Sequence, residues 1–170
     1  MIHTTAADSG GALLGWELVL APGGRVPSSH AHPWQEERFT VMAGRMRFRV
    51  AGRRTIAGPG TTVTVPPGTV HSFANASPQP ARVMVTTTPA LSMQELLETA
   101  AAMARDQHAA GRSRPRVLEL ALFMRDFERE VRAPYVPAAL VRMVMRALAR
   151  LAAAIGRDNG YRRARTLIGR

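Results

Sequence analysis

The sequence predicts a mainly β architecture, an antiparallel sandwich or barrel, followed by a helical extension. Three observations lead there. Up to Pro89 the apolar residues come in short runs, several of them alternating with polar ones, as half-buried strands require. Gly and Pro punctuate those runs every few residues, so that many short strands follow at close spacing. Beyond Pro89 the periodicity changes to helical and the runs lengthen. The expected division is therefore a β domain over 1–89 and a helical extension of about three helices plus a basic tail over 90–170.

The elements follow in order. "ALLGWELVLAPGG" is a β-rich run stopped by Pro22 and Gly23. "ERFTVMAG" and "RMRFRVAG" follow one another across Ala43-Gly44, which reads as a hairpin. In the second of these, Met46, Phe48 and Val50 alternate with Arg45, Arg47 and Arg49, so the apolar set should face inward and the arginines outward. "TTVTV" and "ARVMVTTT" are further strands. In the extension, Ser92 with Glu95 three residues on has the form of a capping box, and Gly111 closes that helix. Pro115 opens a second helix, with Leu118, Leu122 and Val131 as its apolar stripe. Pro134 and Pro137 bracket a turn into a third helix, which ends near Ile155. Its expected apolar stripe is Val144, Leu148, Leu151 and Ile155, opposite Arg142, Arg146 and Arg150, with Glu128 and Glu130 as available ion-pair partners.

Composition narrows the function classes. The 170 residues include no cysteine, which removes disulfides, thiolate metal sites and cysteine nucleophiles. The N-terminal stretch has no basic segment leading into an apolar one, and no run is long and apolar enough to span a bilayer, so a cytoplasmic protein is expected. The 23 basic residues are all arginine, against 12 acids, for a net charge of +11. That balance suits anionic partners, or it reflects codon bias toward Arg, Ala, Gly and Pro. Aromatic residues are few and no helix-turn-helix stands out, so there is no convincing nucleic-acid module. The Arg-striped third helix permits contact with an anionic membrane surface, but a helix after a barrel more often packs on protein, and a homodimer is the preferred expectation.

The chemistry concentrates in two stretches. In "GRVPSSHAHPWQEERFTVMAG", His30 and His32 lie two apart and share a strand face. Pro33 allows the chain to bend before Glu37, which then shares a face with Phe39 and Val41. In "GPGTTVTVPPGTVHSFAN" a turn–strand–turn–strand path brings His71 toward the same pocket. Three imidazoles and one carboxylate make a plausible set for a first-row divalent metal and leave two octahedral positions open. Trp34 either roofs the site or lies on the surface. His3 sits in a terminus expected to be mobile, and His108 near a helix end, outside the site.

The spacing of both stretches resembles the two motifs of the cupin superfamily. Gly24, His30, His32, Glu37 and Gly44 fit the first motif, and Gly60, Pro66, Gly68, His71 and Asn75 fit the second. Glu36 also fits a shorter spacer of the first motif but misses the gap to Gly44. The resemblance, over about residues 12–89, is to small bacterial single-domain cupins, quercetin-dioxygenase-like, here with a helical extension. It implies a double-stranded β-helix, or jelly-roll barrel, of six to eight strands. It also implies one divalent first-row transition metal (Fe, Mn, Ni, Co or Zn) held by His30, His32, Glu37 and His71. The inward residues Phe39, Val41, Met46, Phe48 and Phe73 are candidates for a substrate pocket, with barrel filling as the alternative for Phe48 and Phe73. The functional expectation is a small metal-dependent enzyme, of dioxygenase or cyclase/isomerase type, acting on an apolar or aromatic oxygenated small molecule, with Glu37 as the candidate base. A non-catalytic small-molecule-binding module is the alternative.

Overall fold

The computed structural model describes residues 1–26, 28–111, 116–134, 137–156 and 161. Eight strands and three helices occur among them: β1 Ile2–Thr4, β2 Leu14–Leu20, β3 Glu36–Ala43, β4 Met46–Val50, β5 Arg53–Ala57, β6 Thr62–Val65, β7 His71–Asn75, β8 Ala81–Thr88, α1 Met93–Ala109, α2 Val117–Asp126 and α3 Ala138–Ala154. The chain divides into two compact units, Met1–Leu91 and Ser92–Arg170.

The first unit is a pair of antiparallel sheets. One has the strand order β1-β2-β8-β3-β6 and the other β5-β4-β7. Each strand contributes one face to the space between them, because side chains alternate along a strand. Phe39 and Val41 from β3, Val83 and Val85 from β8, and Val65 from β6 meet Met46 and Phe48 from β4 and Ala57 from β5. All are at most 2% exposed. Met46 and Phe48 point inward while Arg45, Arg47 and Arg49 are exposed, as the alternation predicts.

The expected β3–β4 hairpin does not form. β3 pairs with β6 and β8, whereas β4 pairs with β5 and β7. The chain passes from one sheet to the other across Gly44-Arg45. The physical reason is that the apolar faces of β3 and β4 must oppose one another across the core, which neighbours in one sheet cannot do. Gly44 makes the crossing possible: its φ is +75°, and a Cβ there would lie 2.9 Å from Ala81 Cα. The true hairpin uses the next Ala-Gly step. Ala51 and Gly52 both have positive φ, 48° and 82°, and Val50 pairs directly with Arg53. That is the two-residue turn whose twist matches the flanking strands. β1 and β5 carry no clear strand pattern in the sequence and are set by their neighbours. His3 accordingly lies in a paired strand, with its Nε2 3.6 Å from Glu17 Oε2.

The second unit differs from expectation in three places. Ser92 does not cap α1 with its side chain; instead its backbone N–H donates to Glu130 Oε1 at 3.2 Å, and Glu130 is 4% exposed. A carboxylate placed there complements the positive end of the helix. α2 ends at Asp126, short of Val131, because the chain turns at Phe127–Glu130, with the Phe123 and Phe127 rings 5.0 Å apart. On α3 the stripe expected to be buried is largely exposed: Val144, Leu151 and Ile155 are 40%, 50% and 53% accessible. Leu122 packs instead on Ala149 and Ala152, with Leu118 beside it. Small side chains let two helices approach closely, and the alanine face of α3 offers them. Gly111 does close α1, with φ +64°, and Arg146 does pair with Glu128 at 3.1 Å. Pro115 and nearly all of the basic tail lie outside the described residues. Among the described residues no helix is long and apolar enough to cross a membrane.

Two glycines separate strain from crowding. Gly60 also has positive φ, +82°, but open space around it. Gly60→Ala should lower the unfolding free energy by about 1–2 kcal/mol, the strain of an L-residue in that region. Gly44→Ala should lose a further 1–3 kcal/mol, roughly, by pressing on Ala81. Denaturant unfolding of the two variants checks the order; equal losses would remove the close approach as the reason for Gly44.

Candidate metal centre

The four motif donors are brought together from both sheets. Glu37 lies on β3, flanked by Val65 of β6 and Thr87 of β8. His71 opens β7, opposite Val50. His30 is bound to His71 by a reciprocal backbone pair: His30 N–H donates to His71 O at 3.0 Å, and His71 N–H to His30 O at 2.9 Å. Two residues on, the His32 carbonyl accepts the Gly68 N–H at 2.7 Å. The loop carrying both histidines is thus fixed to the strand and turn that carry the third.

One ligand atom from each of His30, His32, Glu37 and His71 lies within 4.8 Å of all the others. The span is close to the separation of opposed ligands at bond lengths of about 2.1 Å. Ring centroids are 4.4 Å apart for His30 and His71, 5.0 Å for His30 and His32, and 5.3 Å for His32 and His71. Glu37 Oε2 is 3.2 Å from His32 Nε2 and 3.1 Å from His71 Nε2. Glu37, His71 and His32 are almost fully buried.

The tautomers favour ligation. His30 Nδ1 is 3.1 Å from Ser28 O, and His71 Nδ1 is 3.1 Å from Thr69 O. A carbonyl only accepts, so Nδ1 carries the proton and Nε2 presents a lone pair, an arrangement that orients imidazoles for metal binding. His71 Nε2 and Glu37 Oε2 are buried and, despite their proximity, make no well-formed hydrogen bond. Two acceptors facing one another at that distance call for a cation between them, and three neutral imidazoles with one carboxylate are suitable donors for a divalent first-row ion.

The electrostatics agree. Burial, then the adjoining His71 and His32 imidazoles, push the His30 imidazole down to about 4. Burial alone would raise the Glu37 carboxyl, but the two imidazoles against it, His32 first and then His71, outweigh it and hold Glu37 well below the usual carboxylate range. The site therefore keeps an anion in a dry interior with three imidazoles packed around it.

Of the two adjacent glutamates, it is Glu37 that faces the histidines. Glu36 turns outward and accepts a hydrogen bond from Arg38 Nε at 2.8 Å. Phe39 and Phe73 approach the cluster, with centroids 6.2 Å from His71 and 6.5 Å from His30. Phe39, Val41, Met46 and Phe48 are sealed in the core, and Phe73 alone of those five is partly exposed. Trp34 is 67% exposed. His108 lies in the last turn of α1.

The remaining motif residues hold the backbone. Asn75 Nδ2 donates to Leu20 O, Ala21 O and Gln79 O at 2.8–3.0 Å, and its Oδ1 accepts from Ser77 N–H and Oγ–H, both at 2.7 Å. A Cβ on Gly24 would meet Ala21 O at 2.9 Å. In the first unit, two further buried polar residues lie outside both motifs. Gln35 Nε2 donates to Pro89 O and Ala90 O, both at 3.0 Å, fastening the start of β3 to the end of β8. Thr87 is fully buried beside Glu37 in the sheet, 3.4 Å from Trp16 Nε1. Alternation signals both: inward positions 83, 85 and 87 form one series, and 35, 37, 39 and 41 another.

Residues 16–87 match the family model of a cupin domain. No curated protein matches the sequence. Solved structures similar to part of the chain include a conserved protein with a double-stranded β-helix domain from Klebsiella pneumoniae, at 24% identity and TM-score 0.45, covering 48% of this chain and 70% of that one. A protein from Thermus thermophilus is 26% identical with TM-score 0.45 over 47% and 75% of the two chains. A predicted oxalate decarboxylase from Thermotoga maritima is 21% identical with TM-score 0.47 over 51% and 75%.

The low proton affinity of His30 makes the metal-free protein acid-sensitive. An unfolded imidazole titrates near 6.5 and takes up a proton that the folded one refuses until about 4. Stability should therefore fall as pH drops from about 6.5 to about 4, since the unfolded state binds more protons there. Thermal melts in chelator across that window should show the slope, and His30→Gln should flatten it.

Proposed function

Residues 16–87 belong to the cupin superfamily, and on that premise we propose that the protein is a small metal-dependent enzyme, of dioxygenase or cyclase/isomerase type, acting on an apolar or aromatic oxygenated small molecule. His30, His32, Glu37 and His71 would hold one divalent first-row metal. The observation that carries this reading is the convergence of four donor atoms within 4.8 Å, two of them, on Glu37 and His71, buried without hydrogen bonds. The bound ion would supply Lewis-acid polarisation of an oxygen donor on the substrate.

The chain's own residues define the rest. Ser28 and Thr69 carbonyls fix the direction of two imidazoles. Phe39, Val41, Met46 and Phe48 close the barrel beneath the cluster and exclude water there. An approaching molecule would meet Phe73, the partly exposed member of the proposed pocket, beside His30. Glu37 is a weak base while His32 and His71 hold it; accepting a substrate proton requires that it first swing away from them, which restores its basicity.

Elemental analysis should find about one metal ion per chain. His71→Ala and Glu37→Gln should each weaken metal binding by more than about 100-fold, since changes to residues merely supporting a ligand already weaken it 10–100-fold. Glu36→Gln should leave binding unchanged, because Glu36 faces Arg38. Oxygen uptake and isomerisation assays on enolic and phenolic aromatics then decide between enzyme and binding module. Turnover that needs the metal supports the enzyme; saturable binding without turnover replaces it with the module.

The homodimer belongs to this proposal too. Leu140, Met143, Val144, Leu151 and Ile155 leave α3 with exposed apolar surface, which a second copy would cover. Sedimentation should give a dimer, and Leu151→Glu should shift it to monomer.

A further inference from the structure

β4 and β7 carry a second surface on the side away from the metal cluster. Their inward residues are Met46, Phe48 and His71, so the alternate positions form the outer face of the three-stranded sheet. The pairing fixes two rows on it. Arg25, Ala74 and Arg47 are neighbours across one row, and Ser72, Arg49 and Arg54 across the next. Strands lie about 4.8 Å apart and the rows about 6.8 Å. Small side chains, Ala74 and Ser72, make the floor, and four long arginines stand around it. The result is a cleft of about 310 Å³.

None of these four arginines has an acidic partner among the described residues. The sequence explains why: between Glu37 and Glu95 there is no acidic residue. Arg38 and Arg82, on the other sheet, pair with Glu36 and Glu17. Arg49 and Arg54, by contrast, face each other directly across β4 and β5. Like charges in that relation destabilise a sheet. The Ser72 hydroxyl makes no hydrogen bond among the described residues.

We infer that this cleft binds a compact polyanion with adjacent phosphate groups, as in a small molecule bearing a di- or triphosphate. Several guanidinium forks match phosphate oxygens pairwise, and the row spacing suits neighbouring phosphates rather than one isolated charge. The volume is at the small-molecule end of binding sites. A single-stranded nucleic acid would want aromatic platforms, but the Phe48 ring is sealed in the core and Phe73 packs against it. The inference stands independently of the metal reading.

The test uses inorganic pyrophosphate with the full chain, in excess chelator so that no metal mediates binding. Calorimetry and thermal shift at about physiological ionic strength should show saturable binding and a raised melting temperature. Arg49→Gln and Arg47→Gln should each weaken it at least tenfold, whereas Arg82→Gln should not. Without ligand, Arg54→Gln should raise the melting temperature by relieving Arg49. No binding, an equal effect of sodium chloride at matched ionic strength, or equal weakening by Arg82→Gln would overturn the inference. So would binding of duplex DNA or anionic vesicles that pyrophosphate fails to displace.

Discussion

A carboxylate in a barrel interior is the constraint to which the rest of the first unit answers. Glu37 is 3% exposed, and an anion so placed is unfavourable without compensating charge. The compensation cannot come from its own strand, whose next inward residues are Phe39 and Val41. The chain brings three imidazoles to it from elsewhere: one from the opening of β7, and two from the loop that His30 and His71 clamp together through their backbones. Removing that clamp would separate the imidazoles from the carboxylate they surround. Fold and site are therefore one electrostatic unit rather than a scaffold with an attachment.

Much of that unit is legible in the sequence, because it depends on period and spacing. The choice of Glu37 over Glu36 follows from alternation with Phe39 and Val41, and the side chains lie that way. The inward Met46 and Phe48 follow from the same rule. What was not legible depends on partners distant in the chain. Two Ala-Gly steps occur eight residues apart, and nothing local distinguishes the crossover at Gly44 from the turn at Gly52; what distinguishes them is that the faces of β3 and β4 must oppose. Ser92 has the residues of a capping box, yet Glu130, far along the chain, takes its N–H. Large side chains mark one stripe of α3 in the sequence, whereas close helix packing selects Ala149 and Ala152.

The two motifs also divide by role. Their four donors converge on one point, while Gly24, Gly44, Gly68 and Asn75 manage backbone. Asn75 donates to carbonyls at the end of β2 and in the turn before β8, and orders Ser77. Such a residue resembles a site residue in a pattern, since it is polar and buried, but its hydrogen bonds are spent on the main chain. Gln35 does similar work outside either motif.

His71 and Ser72 are consecutive, yet one faces the histidine–glutamate cluster and the other the arginine cleft. Phe48 and Arg49 stand in the same relation on β4. A strand is a single layer thick, so two unrelated chemistries are written into alternate letters of the same short text. Substitution can revise either one alone. An insertion or deletion of one residue exchanges them, carrying guanidinium groups into the core and phenyl rings to the surface. For β4 and β7, then, evolution by point change is open and evolution by length change is closed; drift in loop length should gather at the turns and leave these two strands constant in length.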